Sequence, residues 1–450
     1  MKVLLISPGK DAHYAKRLGL AFKLPPLGLA TVAGLTKPGI DIHFLDEHIE
    51  EINYDEKADI VGISIITTVA PRAYRIADEF MKRGVKVVLG GVHPSVVPEE
   101  ASLHADSVVI GEAEGSWERL IEDYEKTGKI AKFYSNEKRP DITKLVEPRR
   151  DLYKKGAYIT NNTFQITRGC PFACSFCSVS NFFGRTYRSR PVDQVIKAIR
   201  DSKAKFCGFV DDNIVGNKEY SKRFFEELIP LKVKWVGQAS TTIANDENLL
   251  RLAKKSGCMG LFIGFESVSE LSIQEMTKSH NIKMNFEEVV KKLHDNGIIV
   301  LGAFVFGLDN DTKDIFPRTL DFVMKAKLDL VQFTPLTPLP GTATHKKLTE
   351  EGRIIDENWK HYDIQRVVFK PKNMTAEELQ AGCDKIWRDF YSGSNIVKRL
   401  LHPNFDFFTN IAYFVPLLIM NKGFAHALGF NTKMKETVAQ EDAAIARGGQ

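Results

Sequence analysis

The feature that most constrains this chain is an alternation, run twice, of short Val- and Ile-rich stretches with segments of helical spacing. In the first round the apolar stretches fall at 3–6, 42–45, 60–65, 85–89 and 107–110, and helical patterns such as 27–35 and 73–83 lie between them. Stretches that are apolar at successive positions belong to strands covered on both faces, and helices between them make crossovers that join the strands in parallel. The spacing therefore predicts an α/β fold that begins with a doubly wound parallel sheet over 1–125, with ligands at the carboxyl ends of its strands. A second round predicts strands at 163–166, 206–210, 234–238, 259–264, 299–306 and 330–334, with helices at 192–202, 218–228, 247–256, 286–296 and 317–326. Six strands and five intervening helices make a partial barrel over 161–344, short of the eight that close one. Residues 126–160 lose the rhythm, gain lysine and arginine, and read as a linker; 345–450 read as a helical C-terminal region with a helix start at Thr375-Ala-Glu-Glu.

Composition narrows the class. Charged residues make up 26% of the 450 and the formal net charge is +5, which suits a folded globular chain and gives no concentrated basic surface for nucleic acid. The early apolar run is shorter than the core of a signal peptide, and no window reaches the roughly 18 apolar residues of a membrane-spanning helix. A cytoplasmic protein is expected.

Chemistry enters at Cys170-Pro-Phe-Ala-Cys174-Ser-Phe-Cys177, directly after the first strand of the second round. The chain has six cysteines, too few for a disulfide scaffold, and three of them fall in this one loop. That pattern points to metal binding in a reducing compartment. Closed structural zinc takes four ligands, and no fourth Cys or His stands at a suitable spacing; Cys207, the nearest other thiol, falls inside an apolar strand. Three thiolates can hold a [4Fe–4S] cluster and leave one iron open to a reactant. Zinc, or three buried thiols without metal, are the alternatives.

The CxxxCxxC loop, preceded by Thr167-Arg168-Gly169 and carrying the aromatic Phe176, resembles the radical S-adenosylmethionine (SAM) family. The sheet before it, with a Ser64-Ile65-Ile66 turn and a Gly90-Gly91 turn, is similar to the cobalamin-binding subgroup of that family, in the branch that contains the hopanoid C-2 methylases. The likeness covers about 1–390 and takes in Phe209-Val-Asp-Asp-Asn213, Gly264-Phe-Glu-Ser267, Phe306-Gly307 and Thr337-Pro-Leu-Pro-Gly341.

The resemblance implies a [4Fe–4S] cluster on Cys170, Cys174 and Cys177 that binds SAM at its open iron and cleaves it to a 5′-deoxyadenosyl radical. It implies Phe176 against the adenine, Asp211 at the SAM amino nitrogen, Ser240 at the ribose or carboxylate, and Glu266 at the ribose hydroxyls. The ordinary readings of the same residues are a helix cap for Asp211-Asp212-Asn213 and a solvated loop end for Glu266. Cobalamin is expected near Ser64, Thr67, Gly90, Gly91, His93 and Glu112. The D-x-H-x-x-G pattern that supplies a lower cobalt ligand is missing after the first strand, where Ser7-Pro8-Gly9-Lys10 stands. Asp46-Glu47-His48 imitates its first half after the second strand, with Glu51 in the glycine position, so His48 reads as a loop residue. The lower face is thus expected without histidine, and His93 either contacts the corrin, or a water beneath it, or is an ordinary turn residue.

The function implied is methylation of an unactivated carbon of a small molecule or lipid, with SAM and methylcobalamin as cofactors and a one-electron reductant such as flavodoxin or ferredoxin as partner. A cyclisation, oxidation or rearrangement with the same cofactors is the alternative within the enzyme class. A cobalamin or SAM sensor, or an electron-transfer iron–sulfur protein, is the alternative outside it. Finally, 405–430 is rich in aromatics (Phe405, Tyr413, Phe424 and Phe430 among them) and flanked by Lys398, Arg399, Lys422 and Lys433. Its apolar run 411–420 is too short to span a bilayer and contains Pro416. Weak peripheral association with the inner face of the membrane is the expectation, and a helix closing the open side of the barrel is the alternative.

Overall fold

The computed structural model describes residues 1–9, 23–400 and 415–424. The first sheet comprises β1 (Lys2–Ser7), β2 (Asp41–Asp46), β3 (Ile60–Ser64), β4 (Lys86–Gly90), β5 (Ser107–Ile110) and β6 (Phe133–Ser135), in the order β2-β1-β3-β4-β5-β6 with every pair parallel. Its strands lack alternation because both faces are covered. Leu4, Ile6, Val61 and Leu89 pack towards the helix Ala70–Lys82, while Val3, Leu5, Val88 and Val109 pack towards the helices Leu27–Leu35 and Ser116–Thr127.

β6 was not expected from sequence. Three residues set among lysines carry no readable period, yet they pair with Val108, Val109 and Ile110 at the edge of the sheet. The segment 126–160 is therefore built into the fold: Tyr134, Tyr153 and Tyr158 are buried in the sheet's core, Lys132 Nζ donates to the carbonyls of Ser102 and Ala105, and the Arg150 guanidinium lies 4.4 Å from the Phe164 ring centre.

The second sheet takes its strands in chain order: β7 (Thr163–Phe164), β10 (Phe206–Phe209), β11 (Lys234–Ala239), β12 (Cys258–Glu266), β13 (Ile299–Phe306) and β14 (Leu330–Pro335), all parallel. A short antiparallel pair, β8 (Thr167–Arg168) and β9 (Arg188–Ser189), brackets the cysteine loop. The expected helices follow as crossovers, three of them started by side-chain caps on Asn217, Asp246 and Asn285. β12 ends in a bulge between Gly264 and Glu266, and Glu266 has a φ of 69°, left-handed backbone that a non-glycine residue adopts only where its surroundings hold it.

The helix Ala376–Phe390 starts at Thr375 with a capping box to Glu378, as the sequence predicts, and packs on β14 through Trp387, whose Nε1 donates to the Phe333 carbonyl at 2.6 Å. The helix Gly393–Leu400 follows. Arg399, one of the basic residues that flank the aromatic segment, is buried: it donates to the carbonyls of Leu328, Asp329 and Phe390 and to Asn421 Oδ1, with its guanidinium 3.6 Å from the Phe390 ring centre. Helix 415–424 is seated on the same place through Leu417 and the fully buried Asn421, while Val415 and Ile419 are exposed. Most of the aromatic segment 405–430 lies outside the described residues. Among the described residues, no helix is long and apolar enough to cross a membrane.

Replacing Arg399 with Met removes four hydrogen-bonded contacts and takes a donor from the carbonyls of Leu328 and Phe390, while Asp329 keeps Asn421 Nδ2. A loss of about 2–4 kcal/mol is expected. Thermal unfolding of the variant should begin lower, with limited proteolysis cutting first beyond residue 390.

Candidate active site

The loop from β8 to the short helix Ser178–Phe182 carries the cysteines at the carboxyl end of the second sheet. It can start only at a glycine: Gly169 has a φ of 87°, and a Cβ there would stand 2.1 Å from the Thr186 carbonyl oxygen. The loop is pinned from below, with Ser175 N donating to the Met276 carbonyl at 3.0 Å, Thr277 Oγ1 to the Ala173 carbonyl at 2.8 Å, and Phe172 stacked on His280 at 3.6 Å.

Cys170, Cys174 and Cys177 line one cavity of about 180 Å³, together with Phe176, Asp212, Asn213, Ser240, Glu266 and Lys278. All three thiols are free. Among the described residues, no three His, Cys, Asp or Glu side chains converge tightly enough to hold a single metal ion. The cysteines edge a shared space instead, a donor arrangement that fits a cluster better than a closed mononuclear site. Burial pushes all three thiols up, Cys174 to about 11 and Cys177 to about 12.

Phe176 and Ser240 stand on the cavity wall as expected. Asp211 does not. It is fully buried beneath the loop, where its carboxylate accepts from the backbone N of Ile166 (3.0 Å) and Thr167 (2.5 Å) and from Thr167 Oγ1 (2.6 Å). Its neighbour Asp212 faces the cavity, with Oδ2 buried and lacking a hydrogen-bond partner, and burial pushes its acid up to about 6. The two aspartates follow β10, where the strand has ended and alternation no longer predicts which side chain points where. Asp212 is thus the one of the two carboxylates that faces the cavity.

Glu266 lines the cavity but already has a partner: Lys278 Nζ donates to its Oε1 at 2.5 Å, and both side chains are buried. Gly264 makes room for the pair, since a Cβ there would stand 2.3 Å from Glu266 Oε1 and 2.8 Å from Lys278 Nζ. Lys278 and His280 belong to no pattern visible in the sequence. They come from the irregular stretch after β12, and only the fold brings them here.

A second cavity, of about 240 Å³, opens at the carboxyl edge of the first sheet. Ser64, Gly90, Gly91 and Glu112 line it as expected, and its floor is kept low by small residues such as Gly28, Gly62 and Ala113. A Cβ at Gly62 would stand 2.9 Å from Leu5 Cδ2 and 3.3 Å from Trp117 Cη2, and one at Gly91, where φ is 97°, would stand 2.8 Å from Ile65 N and O. Glycine at these two positions lets the sheet, Trp117 and the turn close up beneath the cavity, which leaves its mouth open to a large ligand.

Thr67 and His93 are placed elsewhere. His93 is fully buried, with Nδ1 3.3 Å from Thr67 Oγ1, Nε2 3.1 Å from Tyr74 Oη and 3.4 Å from Glu100, and its ring edge-on to Trp359 at 5.3 Å. It ties the Gly90-Gly91 turn to the segment around Trp359 and does not face the cavity. His48 pairs with Asp46 Oδ1 at 2.9 Å.

The two cavities are joined by contacts between the sheets. Gln165, Arg168, Phe182, Phe183 and Val210 of the second half complete the wall of the first cavity. Arg168 Nη1 donates to Glu112 Oε2 at 2.6 Å and Nη2 to Glu114 Oε1 at 2.7 Å, while Arg188 Nη2 takes Glu112 Oε1 at 2.7 Å. Glu112, expected at the cofactor, is therefore also an anchor between the halves. The helix Ser178–Phe182 presents Val179 to the cysteine cavity and Phe182 to the other.

Two family models match the chain: B12 binding domain over residues 18–121 and Radical SAM superfamily over 164–323. The bacteriochlorophyllide d C-12(1)- and C-8(2)-methyltransferases of Chlorobaculum tepidum are 34% and 31% identical over 388 and 401 residues, spanning 83% and 84% of this chain and 84% and 87% of theirs. The hopanoid C-2 methylase of Rhodopseudomonas palustris is 26% identical over 357 residues, 74% of this chain and 66% of that one. Among solved structures, the radical S-adenosylmethionine methyltransferase TsrM from Kitasatospora setae, with cobalamin and a [4Fe-4S] cluster bound, has the same fold, with a TM-score of 0.68 at 14% identity over 94% of this chain and 99% of that one. Taken with the two joined cavities, these matches place the chain in the cobalamin-binding branch of the radical SAM superfamily: it belongs to the cobalamin-dependent radical SAM C-methyltransferases.

Proposed function

We propose that this enzyme methylates a peripheral carbon of a tetrapyrrole. The observation that carries the reading is the wall shared by its two cavities, the helix Ser178–Phe182, which presents Val179 to one and Phe182 to the other. The relatives above 30% identity, named for action on bacteriochlorophyllide, support a large flat substrate. When bound, the cluster and SAM supply a hydrogen-abstracting radical, and cobalamin supplies the methyl group.

The chain's own residues bind, orient and shield these groups. In this reading Cys170, Cys174 and Cys177 ligate the cluster and Phe176 lies against the adenine. Asp212, with its unpartnered Oδ2, takes the ammonium in place of Asp211. Ser240 and the Glu266–Lys278 pair face the ribose and carboxylate. Ser64, Gly90, Gly91 and Glu112 hold cobalamin, and Arg168 sets the spacing of the two sites. Six free cysteines support a reducing cytoplasm as the working compartment, with flavodoxin or ferredoxin as electron donor. Weak contact with an anionic membrane is favoured by the exposed Val415 and Ile419.

Incubation of the reconstituted enzyme with a tetrapyrrole acid, SAM and reductant should yield methylated tetrapyrrole, 5′-deoxyadenosine and S-adenosylhomocysteine in equal amounts. Deoxyadenosine with altered tetrapyrrole but no homocysteine product would show a cyclisation or oxidation instead. Replacing Cys170, Cys174 and Cys177 together with Ala should abolish cluster iron, measured by metal analysis, and all SAM cleavage.

Arg168→Lys keeps the charge but loses the two-pronged contact. Methylated product should fall roughly ten- to a hundredfold through misplacement of the methyl donor, while 5′-deoxyadenosine formation persists; a parallel loss of both would make Arg168 a general structural residue.

The cobalt(II) form should show no superhyperfine splitting from an axial nitrogen in electron paramagnetic resonance, alike in the wild type, His48→Ala and His93→Ala. A splitting that disappears in either variant would assign that histidine to the cobalt.

A further inference from the structure

A third cavity, of about 320 Å³, lies beside the cobalamin cavity and shares Gly111, Glu112 and Phe182 with it. Its other wall residues include Ser95, Asn136, Lys138, Arg139 and Asn181. The helix Ser178–Phe182 thus borders all three cavities, with Val179 on the cysteine side, Phe182 on the cobalamin side, and Asn181 and Phe182 here. A molecule whose reacting carbon lies between the cofactors can reach this cavity with a side chain.

The charges favour an anion. Glu112 is already met by Arg168 and Arg188, and Arg139 stands 3.6 Å from it on the cavity side while donating to the Phe182 carbonyl at 2.9 Å. Arg168, Arg188 and Arg139 face two carboxylates, Glu112 and Glu114, and the exposed Glu137 on the rim balances the third guanidinium, which leaves Lys138 as the surplus cation. The remaining basic residues of the segment are largely engaged: Lys132 on carbonyls, Lys144 on Asp141, Arg149 on Asp151, Arg150 on Glu147, Lys154 on Glu50. Lys138 faces the cavity and makes no ion pair among the described residues.

We propose that this cavity is the substrate's carboxylate site, with Lys138 as its cation and Asn181 Nδ2, which keeps one N–H beyond its bond to the Gly341 carbonyl, as a flanking donor. This rests on the tetrapyrrole reading and sharpens it: the substrate is a macrocycle acid whose apolar body lies against Phe182 and whose acidic side chain enters the polar cavity. An uncharged hydrocarbon substrate would gain nothing from such a cation.

The test uses the cobalamin- and cluster-loaded enzyme with two probes, protoporphyrin IX and its dimethyl ester, followed by porphyrin fluorescence anisotropy. The wild type should bind the acid more tightly than the ester. Lys138→Glu should weaken the acid roughly tenfold and leave the ester unchanged, and Lys138→Arg should restore it. Lys138 is exposed, so its exchange does not threaten folding. Equal wild-type binding of acid and ester, or equal loss of both in Lys138→Glu, overturns the carboxylate site and leaves the tetrapyrrole reading standing. Loss of cobalamin from Lys138→Glu overturns it too, by assigning the cation to the cofactor. Failure of the wild type to bind either probe overturns the tetrapyrrole reading and this proposal with it.

Discussion

The forked contact of Arg168 with Glu112 and Glu114 is the interaction on which the rest of the arrangement depends. Arg168 stands two residues before Cys170, and its partners stand at the carboxyl end of β5. One side chain thereby links the start of the cysteine loop to the rim of the cobalamin cavity. Such a pair is held by geometry: each charge has lost water, and the bidentate bonds of a planar guanidinium offset that loss only in one orientation. Removing Arg168 leaves Glu114 without its guanidinium, while Glu112 keeps Arg188 at 2.7 Å. The contact is therefore a register device, and what it registers is the position of the cysteine loop against the rim of the first cavity.

Within the cysteine cavity the charges are similarly arranged. Burial raises the three thiols, Lys278 is paired with Glu266, and Asp212 has one oxygen unpartnered. Burial, with Lys278 beside it, pushes His280 down to about 3, so its imidazole is neutral and serves as a flat support for Phe172. The cavity therefore offers one site for a cation, at Asp212, next to three sulfurs. Directly behind it Asp211, also raised by burial, to about 7, binds the backbone that begins the loop. Two adjacent carboxylates thus have separate tasks, one towards the ligand and one towards the chain.

The periodic parts of this fold were legible in the sequence. Eleven-odd apolar stretches and their helices fall where the pattern puts them because strands covered on both faces must be apolar throughout, and crossover helices must show one apolar stripe. The cysteine spacing was legible for a different reason: ligation by one short loop is local, so the chain itself carries it. What failed to show were β6, three residues without a period, and the inward turn of Arg399, whose value lies in carbonyls of Leu328, Asp329 and Phe390 that are far away in sequence.

Sequence by itself determined the two parallel sheets, the three-thiol loop and the glycine turns, since each follows from local backbone and burial requirements. Only the tertiary structure decided which of Asp211 and Asp212 meets the cavity, that Lys278 and Glu266 pair there, that Glu112 anchors Arg168, and that His93 turns to Glu100 and Trp359. Those choices depend on partners tens to hundreds of residues away, and a buried polar group settles on whichever partner the packing brings within hydrogen-bond reach.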